Sequence, residues 1–152
     1  MNQMNPASGP RLSAETVHAS TVAVDGRAVL ITGPSGSGKS DLTLRLLDRG
    51  FTLVSDDQTI VKKDGTRLLA SAPPTIAGKL EIRGIGIIDM QHLDNVPVAL
   101  IVELTGQIQR LPDDSRERPI LGVKLPFITI DAMTASAPSK VSIALDRMGL
   151  KF

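Results

Sequence analysis

Apolar residues fall in short runs with β-type spacing, separated by turns rich in glycine, proline and Asp-Gly pairs. Residues 16–24, "TVHASTVAV", alternate enough for a strand, and Asp25-Gly26 is a two-residue hairpin signal. "RAVLIT", residues 27–32, then reads as the return strand, running straight into a glycine-rich segment. From Ser40 the pattern changes to a helical one. Leu42, Leu46 and Leu47 share one face, and Gly50 is a natural stop. "FTLVSDD", residues 51–57, reads as a buried strand ending in two acids, and residues 59–71 read as a second hairpin about another Asp-Gly turn. Residues 72–90, "APPTIAGKLEIRGIGIIDM", are expected to form a structured loop followed by a short strand. Further strands are expected at "VPVALIVELT" (96–105) and "FITIDA" (127–132), with the charged stretch 110–126 as a connector. "SAPSKVSIALDRMGLKF", residues 136–152, can close the chain as a helix. Residues 1–12 have no periodicity and read as a loose tail, leaving residues 13–152 as one domain.

Composition narrows the possible functions. The 152 residues carry a formal net charge of +1, with no Trp or Tyr and three Phe. That is neither the electrostatic footprint nor the stacking platform of a nucleic-acid binder. The absence of cysteine excludes disulfides, thiolate metal sites and a cysteine nucleophile. No apolar run approaches the ~20 residues that span a bilayer, and "MNQMNPASGP" lacks the basic and apolar regions of a secretory signal. The expectation is a cytoplasmic protein with no membrane or nucleic-acid partner.

The candidate chemistry starts at residues 33–40, "GPSGSGKS", which match G-x-x-x-x-G-K-[ST] at every fixed position. Gly33, Pro34, Ser35, Gly36, Ser37 and Gly38 would form the phosphate loop, whose glycines let the backbone N–H groups of residues other than Pro34 turn toward phosphate oxygens, at the N-terminus of the helix that follows. Lys39 would reach the outer phosphates, and Ser40 would offer its hydroxyl to Mg²⁺. A P-loop kinase also needs carboxylates near the metal and the acceptor. Asp56 and Asp57 are candidates, provided the strand has ended there, because successive strand residues face opposite ways. Glu103, in "VALIVEL", is open between a metal-side carboxylate and an exposed strand position. His18 is a lone strand histidine, and His92 reads as a surface-loop residue. "EIRGIGIIDM", residues 81–90, sets Glu81 and Arg83 before two closely spaced glycines, which suits either a hairpin or a loop shaped around a ligand.

In order, "VHAS", "LITGPSGSGKS", "LVSDD" and "EIRGIGII" resemble the catalytic domain of bacterial HPr kinase/phosphorylase, from about His18 to near Ile130. The resemblance implies an α/β P-loop kinase domain with a mixed sheet, related to phosphoenolpyruvate carboxykinase, with hairpins flanking the P-loop helix. It implies a Mg-ATP-dependent kinase acting on a serine of HPr, a small phosphocarrier protein, and reversal of that reaction with inorganic phosphate as the attacking group. By position, Asp56 matches the carboxylate that takes the serine proton, and Asp57 supports the metal and water network. Glu81 becomes a further metal ligand, and Arg83 matches the signature arginine. His18 matches a histidine near the active site, and Arg110 an arginine that contacts the transferring phosphate. A hexameric assembly is also typical of the family, so a homo-oligomer is expected.

The chain departs from the family pattern in three places. Almost nothing precedes His18, where full-length members carry an N-terminal domain. "AMTASAPSK" replaces a basic segment that helps to hold HPr, and the closing helix is short. These features match a short, single-domain form. Two other readings keep the P-loop: a kinase of a small metabolite, and a non-catalytic ATP-sensing module.

Overall fold

The computed structural model describes residues 13–107 and 116–152. Asp25 and Gly26 take φ of 53° and 75°, the geometry a two-residue hairpin loop requires. They join β2 (Ala19–Val24) to β3 (Arg27–Thr32) in antiparallel register, Val24 opposite Arg27. The strand expected over residues 16–24 is in fact two. β1 (Ala14–Val17) pairs with residues 59–62, β2 pairs with β3 and with residues 52–55, and His18 lies exposed at the bend between β1 and β2.

After the glycine loop come α1 (Lys39–Leu47) and β4 (Thr52–Ser55). Leu42 and Leu46 are fully buried and Leu47 packs beside them, while Gly50 has φ 93° just past the helix end. The second hairpin joins β5 (Thr59–Asp64) to β6 (Arg67–Ser71). Asp64 still pairs with Arg67, so the turn residues are Gly65 and Thr66. Residues 74–76 form a 3₁₀ turn. The "EIRGIGII" segment is a hairpin of β7 (Lys79–Ile82) and β8 (Gly86–Asp89), forming a two-stranded sheet of its own rather than one short strand. β9 (Val96–Leu104) matches expectation. The charged connector, however, contains β10 (Glu117–Ile120), and β11 (Val123–Ile130) begins four residues earlier than its apolar run suggested. Pro119 and alternating charges hid β10, an edge strand that pairs only with β11 among the described residues. α2 (Ala137–Met148) follows β11.

The main sheet has the order β1-β5-β6-β9-β3-β2-β4, with β11 joined to β9 and β10 to β11. β3, β9 and β11 run parallel and the other pairings are antiparallel, giving the expected mixed sheet. One edge of β9 serves two strands in turn: Val96 and Pro97 meet β6, and Ile101–Leu104 meet β11. Two buried clusters sandwich the centre. On the helical side Leu42, Leu46, Val141 and Leu145 pack on Val29, Ile31 and Val102. On the other side Leu30 and Ile101 pack with Val61, Leu68 and Leu125. Burial on both faces explains why β3 and β9 read as continuous apolar runs. Each such leucine contributes roughly 1.5–3 kcal/mol through removal from water. Among the described residues no helix is long and apolar enough to cross a membrane.

Candidate active site

β3 delivers the chain into the loop at its C-terminal end, and sterics there demand glycine. A Cβ on Gly33 would lie 2.6 Å from Ser37 Oγ and 3.2 Å from Leu104 Cβ. At Gly38, which caps α1 with φ 101°, a Cβ would meet Ala132 Cβ at 3.2 Å. Gly36 also has a positive φ, 81°. Lys39 is 8% exposed, and its Nζ donates to the carbonyls of Gly33 at 2.9 Å and Pro34 at 3.3 Å. The ammonium is thus curled inside its own loop, beside the N-terminus of α1, where anionic oxygens are favoured. Ser37 Oγ is buried without a hydrogen-bond partner. A glycine cradle, a caged ammonium and a free buried hydroxyl fit a polyphosphate.

β4 carries the acids to the same place. Its pairing with β2 slips between Thr21 and Val22, so Thr21 faces Ser55 while Val22 faces Leu53. That irregularity re-aims the strand end. The chain then tightens: Gln58 N–H donates to the Asp56 carbonyl at 2.7 Å across Asp57, whose φ is 66°. This is the rare, strained kind of γ-turn. Ser55 Oγ holds the turn by donating to the Gln58 carbonyl. Asp56 and Asp57 therefore part company. Asp56 is buried at 9% exposure, whereas Asp57 is exposed.

The Asp56 carboxylate accepts from Ser40 Oγ at 2.8 Å and Ser20 Oγ at 2.9 Å, both on Oδ1. Its Oδ2 accepts from the Glu81 backbone N–H at 3.4 Å. Four segments distant in sequence thus meet on one carboxylate. Ser20 is the residue that the sequence reading missed. Its only local signal is one of two adjacent hydroxyls, Ser20 and Thr21, in a strand whose other residues are apolar.

The other candidates sit around this centre. Glu81 contributes its N–H while its side chain lies on the exposed side of β7, and Arg83 is exposed in the hairpin turn. His18 immediately precedes Ala19, whose register partner Thr32 leads into Gly33. Arg110 lies outside the described residues. Glu103 faces Thr32 and Thr129 in register and pairs with Arg118 at 3.5 Å, so its partner is a guanidinium. His92 lies, half-buried, in the loop between β8 and β9, where it is bridged to Leu53 on β4. Among the described residues no three His, Asp or Glu side chains form a ready cation cage. A magnesium ion bound with its nucleotide needs none, since it relies on one or two carboxylates, a hydroxyl, waters and phosphate oxygens. The Ser40 hydroxyl and the carboxylates carried at the turn beside it are a donor set of that kind. A cavity of about 710 Å³ lined by Lys63, Arg67, Lys124, Leu150 and Phe152 shares no residue with the cradle.

The family model described as HPr Serine kinase C-terminal domain matches residues 11–145, which include the P-loop, both acids and the β7–β8 hairpin. This chain belongs to the HPr serine kinase C-terminal domain family. Similar proteins include the HPr kinase/phosphorylase of Lactiplantibacillus plantarum, 36% identical over 146 residues, covering 88% of this chain and 46% of the relative. That of Clostridium tetani is 38% identical over 133 residues, covering 79% of this chain and 44% of the relative. The chain therefore spans about half the length of the curated relatives it matches. The Hpr(Ser) kinase/phosphatase of Coxiella burnetii, a solved structure, aligns with a TM-score of 0.75 at 32% identity. That alignment covers 87% of this chain and 94% of the other. In this HPr serine kinase C-terminal domain the P-loop strand β3 and the acid-bearing strand β4 are separated only by β2. The mixed sheet thus brings the glycine loop and the two acids to the same end of its strands.

Proposed function

We propose that this chain is a Mg-ATP-dependent protein serine kinase acting on an HPr-like phosphocarrier, and that it also phosphorolyses the product. The observation that carries this reading is the 2.8 Å hydrogen bond from Ser40, at the start of the P-loop helix, to Asp56. It holds a buried carboxylate against the residue that would serve the nucleotide's metal. The names of the relatives supply the acceptor class.

In this reading the loop N–H groups, Lys39 and the α1 N-terminus bind the phosphates and neutralise charge that develops on them. Magnesium, when bound through Ser40 and the carboxylates, adds charge neutralisation at the phosphate oxygens. Asp56 accepts the proton of the incoming serine hydroxyl. In the reverse direction inorganic phosphate attacks the phosphoserine phosphorus, pyrophosphate forms, and the leaving serine oxygen takes its proton from Asp56. Asp57 and Glu81 supply carboxylates on the metal side. The resemblance assigns Arg83 and Arg110 to the phosphates and His18 to the neighbourhood of the cradle. The protein works in the cytoplasm as a homo-oligomer.

The test is to mix the protein with Mg-ATP and the HPr-type carrier of its organism, then examine the carrier by intact mass and peptide mapping. One phosphate on a serine is expected, removed again when inorganic phosphate is added. Asp56→Asn should lower transfer by about 10²–10⁴-fold while nucleotide still binds. An unmodified carrier with nucleotide binding intact would instead favour a small-molecule kinase or a sensor.

A further inference from the structure

We infer that Ser20 is a positioning residue of the transfer site, fixing the plane of the Asp56 carboxylate so that one oxygen is held by hydroxyls and the other is left for the acceptor hydroxyl; this rests on the function proposed above. Ser20 is fully buried on β2, between the strand that leads into the P-loop and the strand that leads into the acids. Its hydroxyl donates to Asp56 Oδ1 at 2.9 Å and accepts from the Asp57 backbone N–H at 3.0 Å. One side chain therefore holds both the carboxylate and the strained turn behind it, where Asp57 keeps a φ of 66°.

A hydroxyl has one donor and a carboxylate oxygen two acceptor sites. Ser20 and Ser40 together fill both sites on Oδ1. Oδ2 receives only the long 3.4 Å contact from the Glu81 N–H. Oδ2 is thus the oxygen with capacity for a serine proton, and Ser20 is what keeps it turned that way. Without Ser20 the carboxylate keeps one short hydrogen bond, from Ser40, and the long one from the Glu81 N–H, and Ser40 also serves the metal. Ser20 has no such second task.

Neighbouring buried hydroxyls do not share this role. Thr21 and Thr59 bond to each other at 2.8 Å, and Thr59 also donates to the Ala19 carbonyl. Ser55 bonds to the Gln58 carbonyl. None of these contacts is to a carboxylate. Simple satisfaction of the Ser20 hydroxyl does not account for its place either, because the Asp57 N–H alone would satisfy it as an acceptor, whereas its proton is directed to the Asp56 carboxylate.

The experiment compares Ser20→Ala and Ser20→Thr with the wild type. Its readouts are transfer to the carrier, nucleotide affinity by calorimetry, and amide exchange at Asp57. Ser20→Ala should lower kcat by about 10- to 100-fold, as misplacement of a reacting group does, with nucleotide affinity changed less than about twofold. The Asp57 amide should exchange at least about tenfold faster, since it loses its acceptor. Ser20→Thr retains the hydroxyl and should restore kcat and Asp57 protection to within about threefold. A Ser20→Ala enzyme with unaltered kcat, or a parallel loss of kcat and nucleotide affinity, would overturn the inference. So would a Ser20→Thr protein no better than Ser20→Ala. If the wild type itself transfers no phosphate to the carrier, the functional reading fails, and the exchange arm still decides the role of Ser20. Unchanged Asp57 exchange in Ser20→Ala would then reject it.

Discussion

Asp56 shows how one residue's surroundings divide the labour of an adjacent pair. It and Asp57 have the same side chain, yet a single i→i+2 turn buries one against two hydroxyls and leaves the other exposed. The glycines of the loop work by the same local logic. Gly38 needs its φ of 101°, and its Cα faces Ala132 closely enough that a Cβ would sit at 3.2 Å. Gly38→Ala should therefore displace the loop. A left-handed L-residue costs roughly 1–2 kcal/mol, so nucleotide affinity should fall by about tenfold or more. Titration calorimetry would measure this, and unchanged affinity would show that the loop tolerates the methyl group. Lys39 belongs at this scale too. With its ammonium already satisfied by two loop carbonyls, binding phosphate exchanges those hydrogen bonds for stronger charge-assisted ones.

Among the elements, α1 links stability to chemistry. Its N-terminus closes the phosphate cradle, while Leu42 and Leu46 anchor its underside on the sheet. Arg45 ties its outer side to the carbonyls of Ala132 and Thr134 ahead of α2. Leu46 is fully buried, and Leu46→Ala should cost about 2–5 kcal/mol through lost burial and the cavity left behind. Chemical denaturation would show a lower midpoint at unchanged slope. Because Leu46 lies two turns from the cradle, nucleotide affinity measured well below the unfolding midpoint should barely change. The β7–β8 hairpin contrasts with α1. It lies outside the main sheet, presents Ile85 and Ile87 at 72% and 66% exposure, and reaches the site through the Glu81 N–H.

At the scale of the whole molecule the parallel trio β3, β9 and β11 forms the spine. Buried clusters cover both faces of β3 and β9, and the P-loop leaves from the end of β3. Local opening should be rarest there. Native-state hydrogen exchange should find the slowest amides in Val29–Ile31 and Leu100–Val102 and much faster ones in β7–β8. Equal protection of hairpin and spine would show that the hairpin unfolds only with the rest. The closing segment joins this spine, since Leu150 N–H donates to the Ala99 carbonyl and Arg27 Nη1 reaches the Leu145 and Leu150 carbonyls.

The sequence alone was enough to locate the glycine loop, the Asp25-Gly26 hairpin, the helical face of Leu42 and Leu46, and the family. These features are legible because each depends on residues close together in the chain, whose backbone angles and side-chain period follow from local sterics. It was also enough to place the acids at a strand end. Tertiary structure decided the rest. The break at His18 follows from β1 and β2 pairing with different neighbours, β5 and β3. β10 exists because β11 offers it an edge, against its proline and charges. The meeting of Ser20 and Asp56, 36 residues apart, depends on strand order and on a register slip in β2–β4. No short-range pattern encodes either. A serine in an apolar strand looks the same whether it faces a leucine or a carboxylate, and only the folded sheet determines which.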